Sequence, residues 1–120
     1  MYNPTTQKIL IVQSRGEKWG PPKGKFEEVD DNSHMNCALR EVLEETGIAL
    51  NESSLQEWVK IDRTTYFYTE IESEFVLDRI DDGISGITWI YPQCLLDLYT
   101  EKKVDLNYHC KRTIKKFNAL

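Results

Sequence analysis

Three glutamates and an arginine stand close together in the middle of this 120-residue chain. If the segment is helical, Glu41, Glu44 and Glu45 share an arc of roughly 100°, with Arg40 beside them. Like charges at this spacing repel one another by about 0.2–0.5 kcal/mol per exposed pair. Solvent and an Arg40–Glu44 pair would offset part of that repulsion, and a bound divalent cation would offset more. The pattern therefore indicates either a solvated, ion-paired helix face or a site for Mg²⁺ or Mn²⁺, which prefer oxygen ligands.

The loop before this segment favours the metal site. Lys23 and Lys25 flank Gly24, a residue that lets the backbone approach a ligand closely. Ammonium groups beside a carboxylate-bound metal suit a polyphosphate, because the metal bridges phosphate oxygens while the lysines neutralise the remaining charge. A Lys-Gly-Lys turn alone is a common surface feature, so phosphate chemistry is predicted from the combination.

Apolar periodicity and turn residues predict the elements that position these groups. The segment 8–14 is short and β-branched, which predicts a buried strand, and residues 33–46 predict a helix that ends at Gly47. Asn32 or Ser33 can cap that helix. Its apolar stripe lies opposite the carboxylates and comprises Met35, Leu39, Val42 and Leu43. Further strands are predicted over 58–69, 74–80 and 84–91, and helices from Pro92 to Tyr99 and over 107–118, giving a small α+β fold.

Composition excludes several function classes. The net charge of −5 argues against a strongly basic nucleic-acid binder, although the C-terminal helix has a local basic patch. The longest apolar run is only Ile9–Val12, so no membrane partner is expected, and the first residues have no pattern of a secretory signal. Three cysteines without metal-type spacing predict free thiols in a reducing compartment, and hence a cytoplasmic protein.

Together these residues resemble the Nudix box. The chain matches every fixed position of the second half of that motif in the stretch Arg40-Glu41-Val42-Leu43-Glu44-Glu45-Thr46-Gly47-Ile48. With Gly24 as its first residue, the box covers about residues 24–48 of a single domain over 1–120. The resemblance implies an α/β/α sandwich with a mixed sheet and a pyrophosphohydrolase that depends on Mg²⁺ or Mn²⁺.

The resemblance also implies roles for individual residues. Glu41 and Glu45 would be the principal metal ligands, and Glu44 a ligand or the general base. Arg40 would hold a glutamate in position, and the carbonyl of Gly24 would be a further ligand.

The chain departs from the family pattern in two places. The segment between Gly24 and Arg40 is two residues longer than in the family, so either Asp30 or Asn32 occupies the site of the first family glutamate. The first strand is reduced to Met1 and Tyr2, which leaves a sheet edge that a second copy of the chain could complete.

The favoured substrate is the 5′ cap of mRNA, because residues 19–25 and 37–41 look like segments of mRNA-decapping Nudix enzymes. The candidate substrate-binding residues are Arg15, Trp19, Lys23, Lys25 and Tyr66. Those enzymes have a late catalytic glutamate where this chain has Gly83, so Asp82 or Glu74 is expected to replace it. Dinucleoside polyphosphates and inositol pyrophosphates are the alternative substrates, a catalytically impaired binding module is the third hypothesis, and DNA is not an expected partner.

Overall fold

A computed structural model describes residues 1–14, 17–24, 33–72 and 84–118, with side chains in the last helix as far as Lys116. Seven strands and three helices are present in this part of the chain. In chain order they are β1 (Tyr2–Asn3), β2 (Lys8–Ser14), β3 (Lys18–Gly20), α1 (His34–Thr46), β4 (Gln56–Ile61), β5 (Thr64–Tyr68), β6 (Ile84–Ile90), α2 (Pro92–Thr100), β7 (Asp105–Leu106) and α3 (Tyr108–Asn118).

Strand β2 is the centre of a five-stranded mixed sheet. One edge of β2 pairs antiparallel with β6 from Ile9 to Ser14. The other edge pairs antiparallel with β1 at Ile9 and with β3 at Val12. β3 in turn pairs parallel with β7, so the predicted mixed sheet is confirmed.

The apolar run of β2 is buried on both faces of the sheet. One cluster combines residues of β2, α2, β7 and α3: Ile9, Ile11, Leu95, Leu106, Cys110 and Ile114. The alternate residues of β2 belong to a second cluster, against which Val42 of α1 packs: Leu10, Val12, Ile48 and Ile84. Because side chains alternate along a strand, this arrangement places α2 and α3 on one face and α1 on the other. The result is the expected α+β sandwich.

Both predicted caps of α1 are present. The backbone N–H of Asn36 donates to Ser33 Oγ over 3.1 Å, so Ser33 is the N-cap. Gly47 has the left-handed φ of 77°, and its N–H donates to the carbonyl of Leu43 over 2.9 Å. These hydrogen bonds satisfy backbone groups that the helix itself leaves unbonded.

The burial of α1 differs from the prediction. Leu43 of the apolar stripe is 45% exposed, whereas Glu41 and Glu45 on the opposite side are only 9% and 6% exposed. The physical reason is that the carboxylate side of α1 is covered as well, because Gly24 lies against Glu41; strand β5 also contacts α1. An apolar stripe predicts that one face of a helix is buried, but it does not predict whether the polar face is buried as well.

The single strand predicted over 58–69 is wrong, because β4 and β5 form a separate antiparallel hairpin there. The chain turns at Asp62, which has a left-handed φ of 55°. Aspartate adopts this conformation more readily than most residues, so the turn needs no glycine. The strand predicted over 74–80 lies outside the described residues.

The edge at β1 is filled from within the chain. The N–H of Tyr2 donates to the carbonyl of Thr69 over 3.0 Å, and the N–H of Ile71 donates to the carbonyl of Tyr2 over 2.9 Å. The backbone of residues 69–71 thus occupies the edge that a second copy of the chain could have completed. Among the described residues, no helix has the length and apolar character needed to cross a bilayer.

Candidate active site

Arg40 links two of the three carboxylates on α1. Its Nη1 atom lies 2.9 Å from Glu41 Oε1 and 3.2 Å from Glu44 Oε2. One guanidinium can serve both because its N–H donors are fixed in a planar fork. Arg40 therefore orients Glu41 and reduces the repulsion between the two acids.

Gly24 lies directly against the Glu41 carboxylate. A methyl group at Gly24 would overlap the carboxylate carbon and both carboxylate oxygens. The contact brings the loop before α1 onto the helix and places a backbone segment beside a buried acid. It also explains why the box begins with a glycine, since a larger residue would displace the Glu41 side chain.

Glu45 lies one turn further along the same side of α1 and is 6% exposed. Glu45 has an interaction of its own in the structure, and its buried Oε2 atom accepts no hydrogen bond within the described part of the chain. Burying a carboxylate oxygen in this way costs free energy. A cation at this position would recover part of that cost.

The chemistry of these donors fits Mg²⁺ better than a metal that needs a full protein cage. Within residues 1–14, 17–24, 33–72 and 84–118, no three His, Cys, Asp or Glu side chains converge closely enough to hold an ion. Mg²⁺ does not require such a group, because it usually keeps several waters and takes one or two carboxylates plus substrate phosphates. Glu41 and Glu45, with the backbone at Gly24, offer oxygen donors of that kind and are the residues that could hold such an ion.

A cavity of about 270 Å³ opens beside Glu41. Its walls come from the segment after β3, from the first turns of α1, and from β5 with the residue before it. The lining residues that offer a charge, a hydrogen-bonding side chain or open backbone are Lys23, Gly24, His34, Glu41, Arg63 and Tyr66. Apolar residues such as Pro22, Leu55 and Phe67 complete the walls. A pocket that is mostly apolar with a few charged groups suits a ring system attached to phosphates.

Tyr66 in the cavity wall is held by α3. Its hydroxyl lies 2.6 Å from His109 Nδ1, and His109 Nε2 lies 3.4 Å from Asp62 Oδ2. In the tautomer with its proton on Nε2, toward Asp62, His109 accepts the Tyr66 hydrogen bond at Nδ1. Burial raises the pKa of Tyr66 above its ordinary value, so the hydroxyl stays protonated and remains a donor.

The structure brings together only some of the predicted site residues. Lys23, Gly24, Glu41 and Tyr66 line the same cavity. Arg40, Glu44 and Glu45 are held on neighbouring turns of α1. Trp19 instead lines a different cavity, together with Tyr99 and Lys102. The remaining candidates, Arg15, Lys25, Glu74 and Asp82, lie outside the described residues.

Three residues of the site were not among the sequence-based candidates. Arg63 and His34 line the cavity, and His109 orients Tyr66. A correct prediction of the turn at Asp62 would have placed Arg63 at the tip of the hairpin. His109 had no detectable signal, because it is 43 residues away from Tyr66 in the chain.

Comparison with known proteins agrees with the resemblance found in the sequence. The family model described as NUDIX domain matches residues 1–107. "Putative hydrolase 111R" of Invertebrate iridescent virus 3 is 34% identical over an alignment of 97 residues, and the alignment covers 76% of this chain and 56% of that protein. The chain thus spans little more than half the length of the viral relative.

Solved structures share the fold at low sequence identity. The NUDIX domain of Shewanella oneidensis NrtR, complexed with ADP ribose, has a TM-score of 0.75 at 18% identity, covering 93% of this chain and 76% of that one. A structure from a study of MutT from Aliivibrio salmonicida and Vibrio cholerae has a TM-score of 0.69 at 18% identity, covering 99% of this chain and 91% of that one. A C. elegans Ap4A hydrolase has a TM-score of 0.62 at 16% identity, covering 93% of this chain and 85% of that one. At such identities the similarity establishes the fold alone.

Proposed function

Because this chain belongs to the Nudix family, we propose that it is a pyrophosphohydrolase that depends on a divalent metal and acts on a nucleotide-type polyphosphate. The observation that carries the proposal is the burial of Glu41 and Glu45 one turn apart, with Gly24 pressed against the first. Mg²⁺ or Mn²⁺ would be held by Glu41 and Glu45, with Glu44 and the carbonyl of Gly24. Such an ion polarises phosphoryl oxygens and lowers the pKa of bound water.

The side chains of the chain itself have distinct tasks in this proposal. Arg40 keeps the Glu41 carboxylate in one orientation through the 2.9 Å ion pair. Lys23, exposed at the cavity rim, neutralises charge on the departing phosphate. Glu44 is half-buried at the edge of the site and is the proposed general base, and Asp82 or Glu74 is the proposed late base. Lys25 and Arg15 are proposed as further phosphate-binding residues.

Capped RNA is the substrate that we propose first. Residues 19–24 retain the decapping-like segment, and the cavity beside Glu41 is near the lower end of the range for pockets that bind small ligands, as expected for one nucleobase. Tyr66 and Phe67 supply aromatic walls, and Arg63 supplies a cation beside them. A cap would place its base in this cavity and its phosphate chain toward Gly24 and Glu41.

A hydrolysis screen with Mg²⁺ tests both levels of the proposal. Radiolabelled capped RNA, diadenosine tetraphosphate and an inositol pyrophosphate are offered separately to the wild type and to the Glu45→Gln variant. Release of a capped nucleotide by the wild type only would support decapping. Cleavage of diadenosine tetraphosphate or of the inositol pyrophosphate, with RNA untouched, would overturn decapping and leave the hydrolase proposal standing. Inertness toward all three would overturn the hydrolase proposal and favour a binding module.

A further inference from the structure

We propose that the outer face of α3 is a binding surface for single-stranded RNA. This face, called here the basic face of α3, consists of Tyr108, Lys111, Arg112, Lys115 and Lys116. The choice of RNA over other single-stranded nucleic acids rests on the proposed function. The existence of the surface rests on its charge and its aromatic residues.

Charge is strongly segregated on α3. The helix Tyr108–Asn118 contains four cations and no acidic residue, although the whole chain has a net charge of −5. At about 100° per residue, the cations and Tyr108 fall within an arc of roughly 140°. The buried residues Cys110, Thr113 and Ile114 lie on the opposite side and hold α3 against the sheet. The basic face therefore lies on the side of α3 away from the sheet, with Arg112, Lys115 and Lys116 exposed to solvent.

Aromatic rings alternate with these cations. Lys111 Nζ lies 5.1 Å from the ring centre of Tyr99 on α2, and Lys116 Nζ lies 5.7 Å from that of Trp58 on β4. In the middle of the row, Arg112 lies 5.8 Å above the ring of Tyr108, which is 59% exposed. In the part of the chain that the structure describes, none of the four cations has a carboxylate within ion-pair distance.

This combination suits a single strand better than a duplex or a featureless polyanion. Lysine and arginine follow a phosphate backbone, and exposed aromatic rings stack on bases that are free of Watson–Crick partners. A duplex offers the phosphates but hides the faces of its bases. Tyr108 and its cationic neighbours can therefore bind both parts of an unpaired nucleotide.

The basic face also lies next to the candidate active site. Tyr108 precedes His109 in the chain, and the rings of these two residues are 6.0 Å apart. His109 in turn bonds to Tyr66 in the cavity wall over 2.6 Å. An RNA whose 5′ end occupies the cavity would find the basic face along the adjoining surface.

Fluorescence anisotropy with a short, labelled, uncapped RNA in EDTA tests the surface independently of hydrolysis. The triple variant Arg112→Ala, Lys115→Ala, Lys116→Ala is expected to bind at least about tenfold more weakly. A plot of the logarithm of the binding constant against the logarithm of the salt concentration should have a slope smaller in magnitude by about 0.7 for each phosphate that the variant no longer neutralises. The matched control is Lys18→Ala, Lys102→Ala, Lys103→Ala, which removes the same charge elsewhere and should bind like the wild type.

A second pair of variants separates stacking from charge. Tyr108→Ala should weaken binding several-fold without changing the salt slope, and Tyr108→Phe should restore it. Thermal unfolding of each variant confirms that the fold is intact. Equal losses of affinity in the two triple variants would overturn the proposal, as would equal affinity for heparin or duplex RNA, or no binding by the wild type. None of these results depends on whether the chain hydrolyses a polyphosphate.

Discussion

At the scale of single residues, the unusual feature is a pair of carboxylates buried on a helix face. Glu41 and Glu45 are almost fully covered, and Arg40 reaches Glu41 and the half-buried Glu44. Burying charge is costly unless a partner ion or hydrogen bonds compensate for it. We infer that the compensating partner includes a divalent ion that arrives with its substrate.

Replacing either buried glutamate by glutamine should abolish turnover without unfolding the protein. Glu41→Gln and Glu45→Gln each remove a charge from the proposed metal site while keeping the shape of the side chain. We expect the hydrolysis rate to fall by about 10²-fold or more. For Glu45→Gln the melting temperature without metal should be unchanged or higher, because a source of repulsion is gone. Glu41→Gln also loses the ion pair with Arg40, so its melting temperature should be equal or slightly lower. Glu57→Gln, at an exposed position on β4, is the control and should behave like the wild type.

The Gly24→Ala variant tests the contact between the loop and the helix. The φ angle of Gly24 is not in the left-handed region, so the backbone accepts alanine, but the new methyl group would overlap the Glu41 carboxylate. We expect a loss of activity comparable to that of Glu41→Gln, with little change in stability. Steady-state kinetics and thermal unfolding measure the two effects. Normal activity in Gly24→Ala would show that the position of Glu41 is not important.

The sequence was sufficient to predict which residues share the carboxylate side of α1, because helical spacing alone determines that. It was not sufficient to predict that this side is buried, since the residue that lies against Glu41 is Gly24, which precedes the helix by a loop. The hydrogen bond between Tyr66 and His109 was missed for the same reason. Distances along a helix follow from geometry, whereas contacts between elements depend on packing.

At the scale of elements, α1 is the helix that carries the carboxylates of the candidate site, so its position determines theirs. Ser33 caps the beginning of α1 and Gly47 caps its end, and Val42 packs against the cluster that contains Leu10 and Val12. Both caps were predictable because Ser and Gly at these positions have local physical reasons. The hairpin at Asp62 was missed because apolar alternation continued through β4 and β5 and no glycine or proline marked the turn.

Removing the N-cap should destabilise the protein while leaving its chemistry in place. Ser33→Ala deletes the hydroxyl that accepts the N–H of Asn36, which typically costs about 1 kcal/mol. Urea unfolding should show a lower midpoint with an unchanged slope. Ser53→Ala, in the exposed 3₁₀ turn Glu52–Ser54, is the matched control and should have little effect. Equal midpoints for Ser33→Ala and the wild type would contradict the assigned cap.

At the scale of the whole molecule, a sheet packed on both faces supports the site. Strand β2 contributes alternate residues to the two apolar clusters, and Cys110 lies in the cluster beneath α2 and α3. The three cysteines form no disulfide, as predicted, and Cys94 is exposed whereas Cys37 and Cys110 are buried. The layered architecture was predictable from the buried strand and the order of elements. The pairing of β3 with β7 was not, because both strands are very short.

Burial of Cys110 makes the fold sensitive to alkaline pH. It raises the pKa of this thiol from 9.0 to about 12. As the pH rises, the unfolded chain therefore loses the proton first. The contribution of Cys110 to the free energy of unfolding is present in full below pH 9 and decreases as the pH rises toward 12. Cys110→Ala should show a shallower decline than the wild type in urea unfolding above pH 9. Cys94→Ala should decline like the wild type, and equal slopes for Cys110→Ala would contradict the assignment.

Calorimetric titration of Mn²⁺ into the wild type and into the Glu41→Gln and Glu45→Gln variants tests the central claim most directly. The wild type should bind the ion with a saturable heat, and each variant should bind it much more weakly while remaining folded at the temperature of the titration. Adding a non-hydrolysable diphosphate should tighten binding to the wild type, because phosphate oxygens complete the coordination. A wild type that takes up no Mn²⁺ with or without the diphosphate, or variants that bind it equally well, would contradict the proposed metal site.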